Sequence, residues 1–309
     1  VDQGSRKIDA PVDLDSPGVA RLVSRKLLYD IDDFAIKTYG DDKRWHLGAS
    51  IIGHDCSRFL WYTFRWCFKE EFNGSNDEEK HSNAGRMQRL WNRGHREEDR
   101  YVEFLKGIGA QVWTVDPQTG KQFKMSSVHG HYGGSMDGVI VLPQLYNITE
   151  PMLGEFKTNN TGKNFNDLLE GGVNATKPQH YIQMSCYGQK YNLRYCAYFN
   201  TNKNDDDLYI EIVKLNFNLA TQMEAKAEKI ITSQTPPPKL SENPTYWKCV
   251  YCPAKLVCHQ NKKPESNCRA CIHASPSINA EWHCNHWKAL IPRDVVPVGC
   301  PQYYPLVNV

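Results

Sequence analysis

No apolar run in these 309 residues approaches the roughly 20 that a helix needs to cross a bilayer, so a helical membrane protein is not expected. Net charge is nearly missing too. The 37 Lys and Arg against 35 Asp and Glu leave +2, so no global field advertises a polyanionic partner and any nucleic-acid surface must be local. Nothing resembles a flavin or nicotinamide site, which sets aside a redox enzyme of that kind. The start, VDQGSRKIDAPVDLDSPG, is too polar for a signal peptide or an anchor, and residues 1–20 read as a flexible lead. Cysteine, by contrast, is plentiful. There are eleven, seven of them from residue 249 onward and most in close pairs. That layout suits metal binding in a reducing, cytoplasmic compartment better than a disulfide framework. The remaining composition, 40% hydrophobic and 23% charged, is that of a globular protein with ample core.

Residues 20–48 give only a vague helical signal. SIIGHDCSRFLWYTFRWCF then places Cys56, Arg58 and Arg65 among aromatics that belong in a core. AGRMQRLWNRGHREEDRYVEFLKGIGA is the clearest helix. Met87, Leu90, Trp91, Gly94, Tyr101, Val102 and Leu105 fall on one side, and Arg86, Arg89, Arg93 and Arg96 on the other. The arginine row reads first as a solvated face and second as a track for phosphates. Glu98 lies inside the apolar stripe with His95 at its edge, and a carboxylate there needs a bordering arginine or a metal.

Strand-like runs follow: AQVWTV, KQFKMSSV, the stretch from His131 to Leu142, then MLGEFKT. Gly133 and Gly134 permit a bulge or the close approach of a substrate backbone. TNNTGKNFNDLLEGGVNATK reads as a mobile loop over a site. Pro178 opens a helix on which Gln179, Gln183 and Tyr187 recur every four residues. Two more strands (RYCAYFNT and LYIEIVKLN) and the helix LATQMEAKAEKIITSQ complete the order. It describes an α/β (α+β) domain over residues 21–234, a mixed central sheet flanked by helices. The stiff TPPPKLSENP opens a 235–262 segment, and 263–309 forms a cysteine-rich module.

One constellation suggests chemistry. Asp137 starts an apolar run, and eighteen residues later a second run ends in Glu155-Phe156-Lys157. Strand alternation puts Glu155 and Lys157 on one face and Phe156 on the other. If the runs pair, Asp137 and Glu155 converge on one divalent cation with Lys157 beside it, a pattern for phosphodiester hydrolysis. The cysteines form two sets. Cys249, Cys252 and Cys258 make a C-x2-C-x5-C run that needs a fourth ligand: His259, a later cysteine or Cys56. Cys268, Cys271, Cys284 and Cys300, interleaved with His273, His283 and His286, are complete for a tetrahedral zinc site. Cys67, Cys186 and Cys196 read as inert thiols in apolar or helical surroundings.

In this order the motifs resemble the RecB-like branch of the PD-(D/E)XK nuclease superfamily, nearest to its iron–sulfur exonucleases of the CRISPR-associated and AddB nuclease-domain types. The resemblance covers about residues 50–260. It rests on Gly94-His95, on GGSMDG with Asp137, on EFK with Glu155 and Lys157, and on QMSCY with Gln183 and Tyr187. It rests also on Cys56 before the core and Cys249, Cys252 and Cys258 after it. It implies a restriction-endonuclease-like core and a DNA exonuclease acting in repair, recombination or viral DNA processing. It also implies a recombination, helicase or replication partner. Under it Asp137, Glu155, His95 and the main-chain carbonyl after Glu155 would hold Mg²⁺ or Mn²⁺. Lys157 would position water, Gln183 and Tyr187 would orient substrate, and Glu98 would support His95. Gln179 and the four arginines are candidate DNA contacts, and the four cysteines would hold a structural [4Fe–4S] cluster. Residues 268–300 have no counterpart in that pattern. The rival reading is a non-catalytic zinc-bearing binding module on a nuclease-like scaffold, which metal-dependent cleavage of labelled DNA would separate.

Overall fold

The computed structural model describes residues 13–40, 43–69, 72, 74–160 and 162–306. In chain order its elements begin with α1 (Pro17–Tyr39), β1 (Leu47–Gly48), α2 (Ser57–Phe64) and α3 (Asp77–Gly107). Next come β2 (Gln111–Trp113), β3 (Lys124–Ser127), β4 (Tyr132–Ser135), β5 (Gly138–Val141) and β6 (Met152–Asn159). Then follow α4 (Lys163–Thr176), α5 (Pro178–Tyr191), β7 (Tyr195–Asn202), β8 (Leu208–Lys214) and α6 (Phe217–Thr232). Short pieces end the chain: α7 (Trp247–Val250), α8 (Lys255–His259), β9 (Ala274–Pro276), β10 (Trp282–Cys284) and β11 (Ala289–Leu290). Among the described residues no helix is long and apolar enough to cross a membrane.

Two compact units result, one of the residues up to 41 with 71–93, the other of 42–70 with 94–309. In the first, α1 starts on Pro17 in its first turn, so 17–20 are helical rather than part of a flexible lead; residues 1–12 lie outside the described residues. Buried Asp32 of α1 pairs with Arg89 on the first half of α3, and Tyr29 stacks on His81 at 4.1 Å. Arg89, still 39% exposed at its side chain, is therefore engaged by a buried carboxylate. The row of arginines was regular in spacing, but one member meets a buried carboxylate.

In the second unit the principal sheet runs β2-β5-β6-β7-β8, antiparallel except for the parallel β6–β7 pair. A parallel neighbour needs a crossover, which α4 and α5 supply. This is the expected mixed sheet flanked by helices. Alternation in β6 sorts its side chains: Leu153 joins the core cluster with Tyr198 and Met184, while Met152 and Phe156 join Tyr101 and Leu105 of α3. Tyr101 stacks on Phe156 at 5.1 Å. The helices start and stop on local signals. Pro178 opens α5, Asn192 closes it in the left-handed region, and the Asn216 side chain caps α6 by accepting from Leu219 N–H.

Two expectations need correction. The stretch 131–142 is not one strand: β4 pairs with β1 and β3 in a separate three-stranded sheet, and β5 joins the large one. Fully buried Met136, whose N–H donates to the Phe123 carbonyl, marks the crossing from one sheet to the other. The Gly/Asn-rich segment is not a loop, because α4 occupies most of it. Phe165, Leu168 and Val173 are buried on one side, and that burial outweighs the weak helix propensity of the glycines. At Gly172 (φ 70°) the helix breaks, and Glu211 accepts the Val173 N–H at 2.8 Å.

The cysteine-rich end clusters with the core rather than apart from it, so neither 234 nor 262 marks a boundary between compact units. Two arginines lock it down. Arg65, which caps the end of α2, donates to the carbonyls of Arg269, Ala274 and Ser233. Arg269, fully buried, lies over the rings of Trp66 (4.2 Å), Phe64 (4.5 Å) and Trp282 (4.9 Å). A buried guanidinium is costly to desolvate, and aromatic faces with carbonyl acceptors offset that cost. His131 completes the seam, its Nε2 at 2.9 Å from the Ser277 carbonyl, and burial pushes its pKa from 6.5 to about 4. The folded state thus keeps His131 neutral where the unfolded chain is protonated. Its contribution to stability is intact above pH 6.5 and is lost as pH falls toward 4. The expected slope is about 1.4 kcal/mol per pH unit in that window. Urea unfolding across the window, compared with His131→Phe, measures it; an unchanged slope in the variant counts against His131.

Candidate active site

The β5–β6 pairing sets Gly138 opposite Gly154, which brings Asp137 beside Glu155 as the sequence suggested. Asp137 Oδ2 accepts the Phe156 N–H at 2.8 Å. Lys157 Nζ stands 2.5 Å from Glu155 Oε1 and 3.9 Å from Asp137 Oδ2, and donates to the Phe156 carbonyl at 3.2 Å. That carbonyl, expected to face a cation, already accepts from the lysine. Glu155 is 0% exposed, and apart from the Lys157 ammonium its oxygens have no hydrogen-bond partner. Burial raises its pKa, Asp137 and Glu98 add to the rise, and Lys157 opposes it. Burial also works against the Lys157 charge, but Glu155 and Asp137 outweigh it and hold that pKa above its ordinary value.

Glu98 joins the group. Its pKa is raised by burial and then by Asp137, and its partner is His95, whose Nδ1 lies 3.2 Å from Oε1, not a bordering arginine. His95 itself is exposed. From α5 come Gln183 and Tyr187, both buried, with Gln183 Nε2 donating to the Tyr187 hydroxyl at 3.4 Å. Gln179 is exposed and packs against Gly53, outside this group. Arg86, Arg93 and Arg96 are on the exposed surface of α3.

The paired glycines before Asp137 make room for the protein itself rather than for substrate. A Cβ on Gly133 would meet the Met125 carbonyl at 2.6 Å, and one on Gly134 would overlap the Tyr187 hydroxyl. Gly134→Ala is expected to cost about 1–3 kcal/mol through overpacking. Tyr187→Phe in the same chain should recover most of that loss; a double variant no more stable than the single one would refute the clash.

Sequence reasoning missed three polar side chains. His180 Nδ1 lies 3.0 Å from the Tyr198 hydroxyl, and Asn200 Nδ2 donates to that hydroxyl at 3.2 Å. Positions 180, 183 and 187 follow the i, i+3, i+7 rule, so His180 shares the Gln183 and Tyr187 side more closely than Gln179 does.

The thiols gather in two places. Cys56, Cys249, Cys252 and Cys258 line a cavity of about 20 Å³ with His54 and His259. Burial raises the Cys252 pKa, and Cys56, Cys258 and Cys249 raise it further, so the four sulfurs sense one another. Cys268, Cys271, Cys284 and Cys300 line another cavity of about 240 Å³ with His273 and His286, but without His283, which bonds Asn285. The Cys268 thiol is pushed up to about 11 by burial and then by the other three thiols. Cys67, Cys186 and Cys196 are buried, with pKa values raised by burial. Among the described residues, no three His, Cys, Asp or Glu side chains stand as a closed metal-holding group. The donor types nonetheless fit. Orphaned carboxylate oxygens suit a hard divalent cation, and grouped thiols suit zinc or iron–sulfur.

No family model and no curated protein matches the chain. Among solved structures it is similar to the alkaline exonuclease LHK-Exo of Laribacter hongkongensis at 13% identity and TM-score 0.37, over 61% of this chain and 87% of that one. The complex of LHK-Exo with dAMP gives 13% identity and TM-score 0.36, over 60% and 86%. A protein titled SSO0001 gives 15% identity and TM-score 0.40, over 78% and 98%. Likeness this loose decides nothing about the site, whose chemistry rests on its own geometry.

Proposed function

We propose that this protein is a divalent-metal-dependent deoxyribonuclease, acting as a DNA exonuclease. The observation that carries the reading is Glu155: a fully buried carboxylate, short of partners, held beside Asp137 by strand pairing and next to a lysine. Burying such a charge is costly unless a cation compensates it. Asp137 and Glu155, with His95 and Glu98 alongside, would hold Mg²⁺ or Mn²⁺. Bound there, the ion would neutralise phosphate charge and make a water more acidic.

The chain's own groups do the rest. Lys157 places a positive charge where the attacked phosphate gains negative charge. Tyr187 and Gln183, fixed to each other, orient the substrate or its water. Asp137, by accepting the Phe156 N–H, ties the ligand strand to the turn that precedes β5. The four-thiol cavity with Cys56 would hold a structural [4Fe–4S] cluster, and Cys268, Cys271, Cys284 and Cys300 a zinc ion. In both, thiols sharing one cavity support the reading.

End-labelled single- and double-stranded DNA with Mg²⁺ or Mn²⁺ tests the proposal. Stepwise release of labelled nucleotides that stops with chelator is expected. Intact DNA under all metal conditions would favour the non-catalytic binding module.

A further inference from the structure

The five-stranded sheet ends on β8, and one face of that last strand is left uncovered. Over β6 and β7 the same face is closed by α3, whose Tyr101 and Leu105 pack with Phe156, Ala197 and Phe199. β8 continues it outward. Register puts Leu208 beside Thr201, Ile210 beside Phe199 and Ile212 beside Ala197. Those three apolar side chains stay 46%, 56% and 46% exposed. The opposite face of β8 is occupied: Val213 is buried, and Glu211 accepts from the Val173 N–H and the Tyr209 hydroxyl.

The backbone of these three residues is open as well. Leu215 N–H donates to the Arg194 carbonyl, and Asn202 N–H to the Asp207 carbonyl. In an antiparallel ladder bonded and non-bonded pairs alternate, so these two bonds fix its parity. Odd-numbered residues of β8 bond β7, and even-numbered ones turn their N–H and C=O to the free edge. The Tyr181 hydroxyl takes the Lys214 carbonyl, and Leu208, Ile210 and Ile212 form the middle of that edge. Edge strands are commonly blunted by short length, proline, a bulge or a central lysine. β8 has seven residues, no proline and unbroken pairing with β7, and its one lysine stands at its end.

We propose that β8 is a self-association edge, where a second copy of this chain pairs antiparallel about a two-fold axis at Ile210. The residues with outward backbone groups then meet one another: Ile210 meets its own copy, and Leu208 meets Ile212. Hydrogen-bonded pairs and apolar cross-strand pairs form together at the same positions. Charge selects both the occupant and its direction. β8 follows Asp205, Asp206 and Asp207 and ends in Lys214, so its two ends complement each other. An antiparallel copy brings each Lys214 to the acidic turn of the other chain, whereas a parallel one sets lysine beside lysine. Moving the axis to Glu211 would oppose two carboxylates. The contact is isologous and closes on itself. It uses no group of the candidate active site and stands apart from the nuclease reading.

Sedimentation and backbone amide exchange test it, and neither depends on DNA cleavage. The sedimenting mass should rise from 35.5 kDa toward twice that value with increasing protein concentration. Over the same range exchange at the Leu208, Ile210 and Ile212 amides should slow. The Tyr209 and Glu211 amides, already bonded to β7, should not change. Ile210→Lys sets two like charges against each other at the axis and should weaken association at least about tenfold, with thermal unfolding as in wild type. Ile210→Pro removes an N–H that β7 does not use and should weaken it comparably. Lys214→Glu should weaken it about 3–10-fold at low salt and less at high salt. A monomer at every concentration overturns the proposal, and so does a dimer that Ile210→Lys leaves intact or one without slowed exchange at the even-numbered amides. A dimer of unchanged strength in Lys214→Glu overturns the antiparallel register. If the Ile210 variants do not fold, the exchange pattern of the wild-type chain still decides.

Discussion

Asp137→Ala and Lys157→Ala are each expected to reduce divalent-dependent DNA cleavage by about 10²–10³-fold, the scale of removing a group that stabilises developing charge. Both should remain folded. Asp137→Ala loses one acceptor for the Phe156 N–H, worth about 1 kcal/mol. Lys157→Ala leaves Glu155 without its cation, and the buried carboxyl then takes up a proton. Glu155→Gln should be as inactive as these and at least as stable as wild type, because it removes a desolvated charge. Its pH dependence gives the sign. The folded pKa of Glu155 lies above its ordinary 4.5, so the folded state binds the proton more tightly than the unfolded chain. That stabilisation is present below pH 4.5 and is lost as pH rises through the raised value. Relative to Glu155→Gln, wild type should lose stability across this window and regain it with Mg²⁺ or Mn²⁺. Calorimetry of both proteins with and without metal reads that difference. Cleavage at wild-type rate by Asp137→Ala or Lys157→Ala would falsify the catalytic assignment.

Protein purified without chelators is expected to be brown, with broad absorbance near roughly 400 nm from iron–sulfur thiolate ligation. Cys56→Ser and Cys249→Ser should each bleach it. The cavity joins Cys56, at the start of α2, to three cysteines nearly 200 residues later in the chain. A cross-link over so long a loop restricts the unfolded chain strongly. Loss of one ligand should therefore cost several kcal/mol, on the order of 2–5 for a native cross-link. Cys268→Ser should leave the colour intact and release zinc alone. Metal analysis of the three variants separates the sets. Colourless wild type with zinc in both places would remove the cluster and leave the fold.

Much of the site was legible because its parts are local. The two-residue period of MLGEFKT separates Glu155 and Lys157 from Phe156 before any fold is known, and β6 divides its side chains that way. Pro178 marks a helix start in the same local manner. The arginine row shows where periodicity stops helping: spacing gives a face, and only the fold shows that Arg89 meets buried Asp32, some sixty residues away. The glycines of TNNTGKNFNDLLEGGVNATK argue for a loop until Phe165, Leu168 and Val173 find a core to enter.

Chain order and spacing by themselves determined which residues are candidates for chemistry, since the E-x-K triplet and the closely spaced cysteines are patterns within short segments. Tertiary structure alone decided what those residues meet. It gave Glu155 complete burial, paired Glu98 with His95, aligned Asn200 with Lys157 across a parallel crossover, and pinned the cysteine-rich end to the core through Arg65 and Arg269. Those outcomes depend on burial and on partners brought together by strand register, and neither is encoded in the spacing of a single segment.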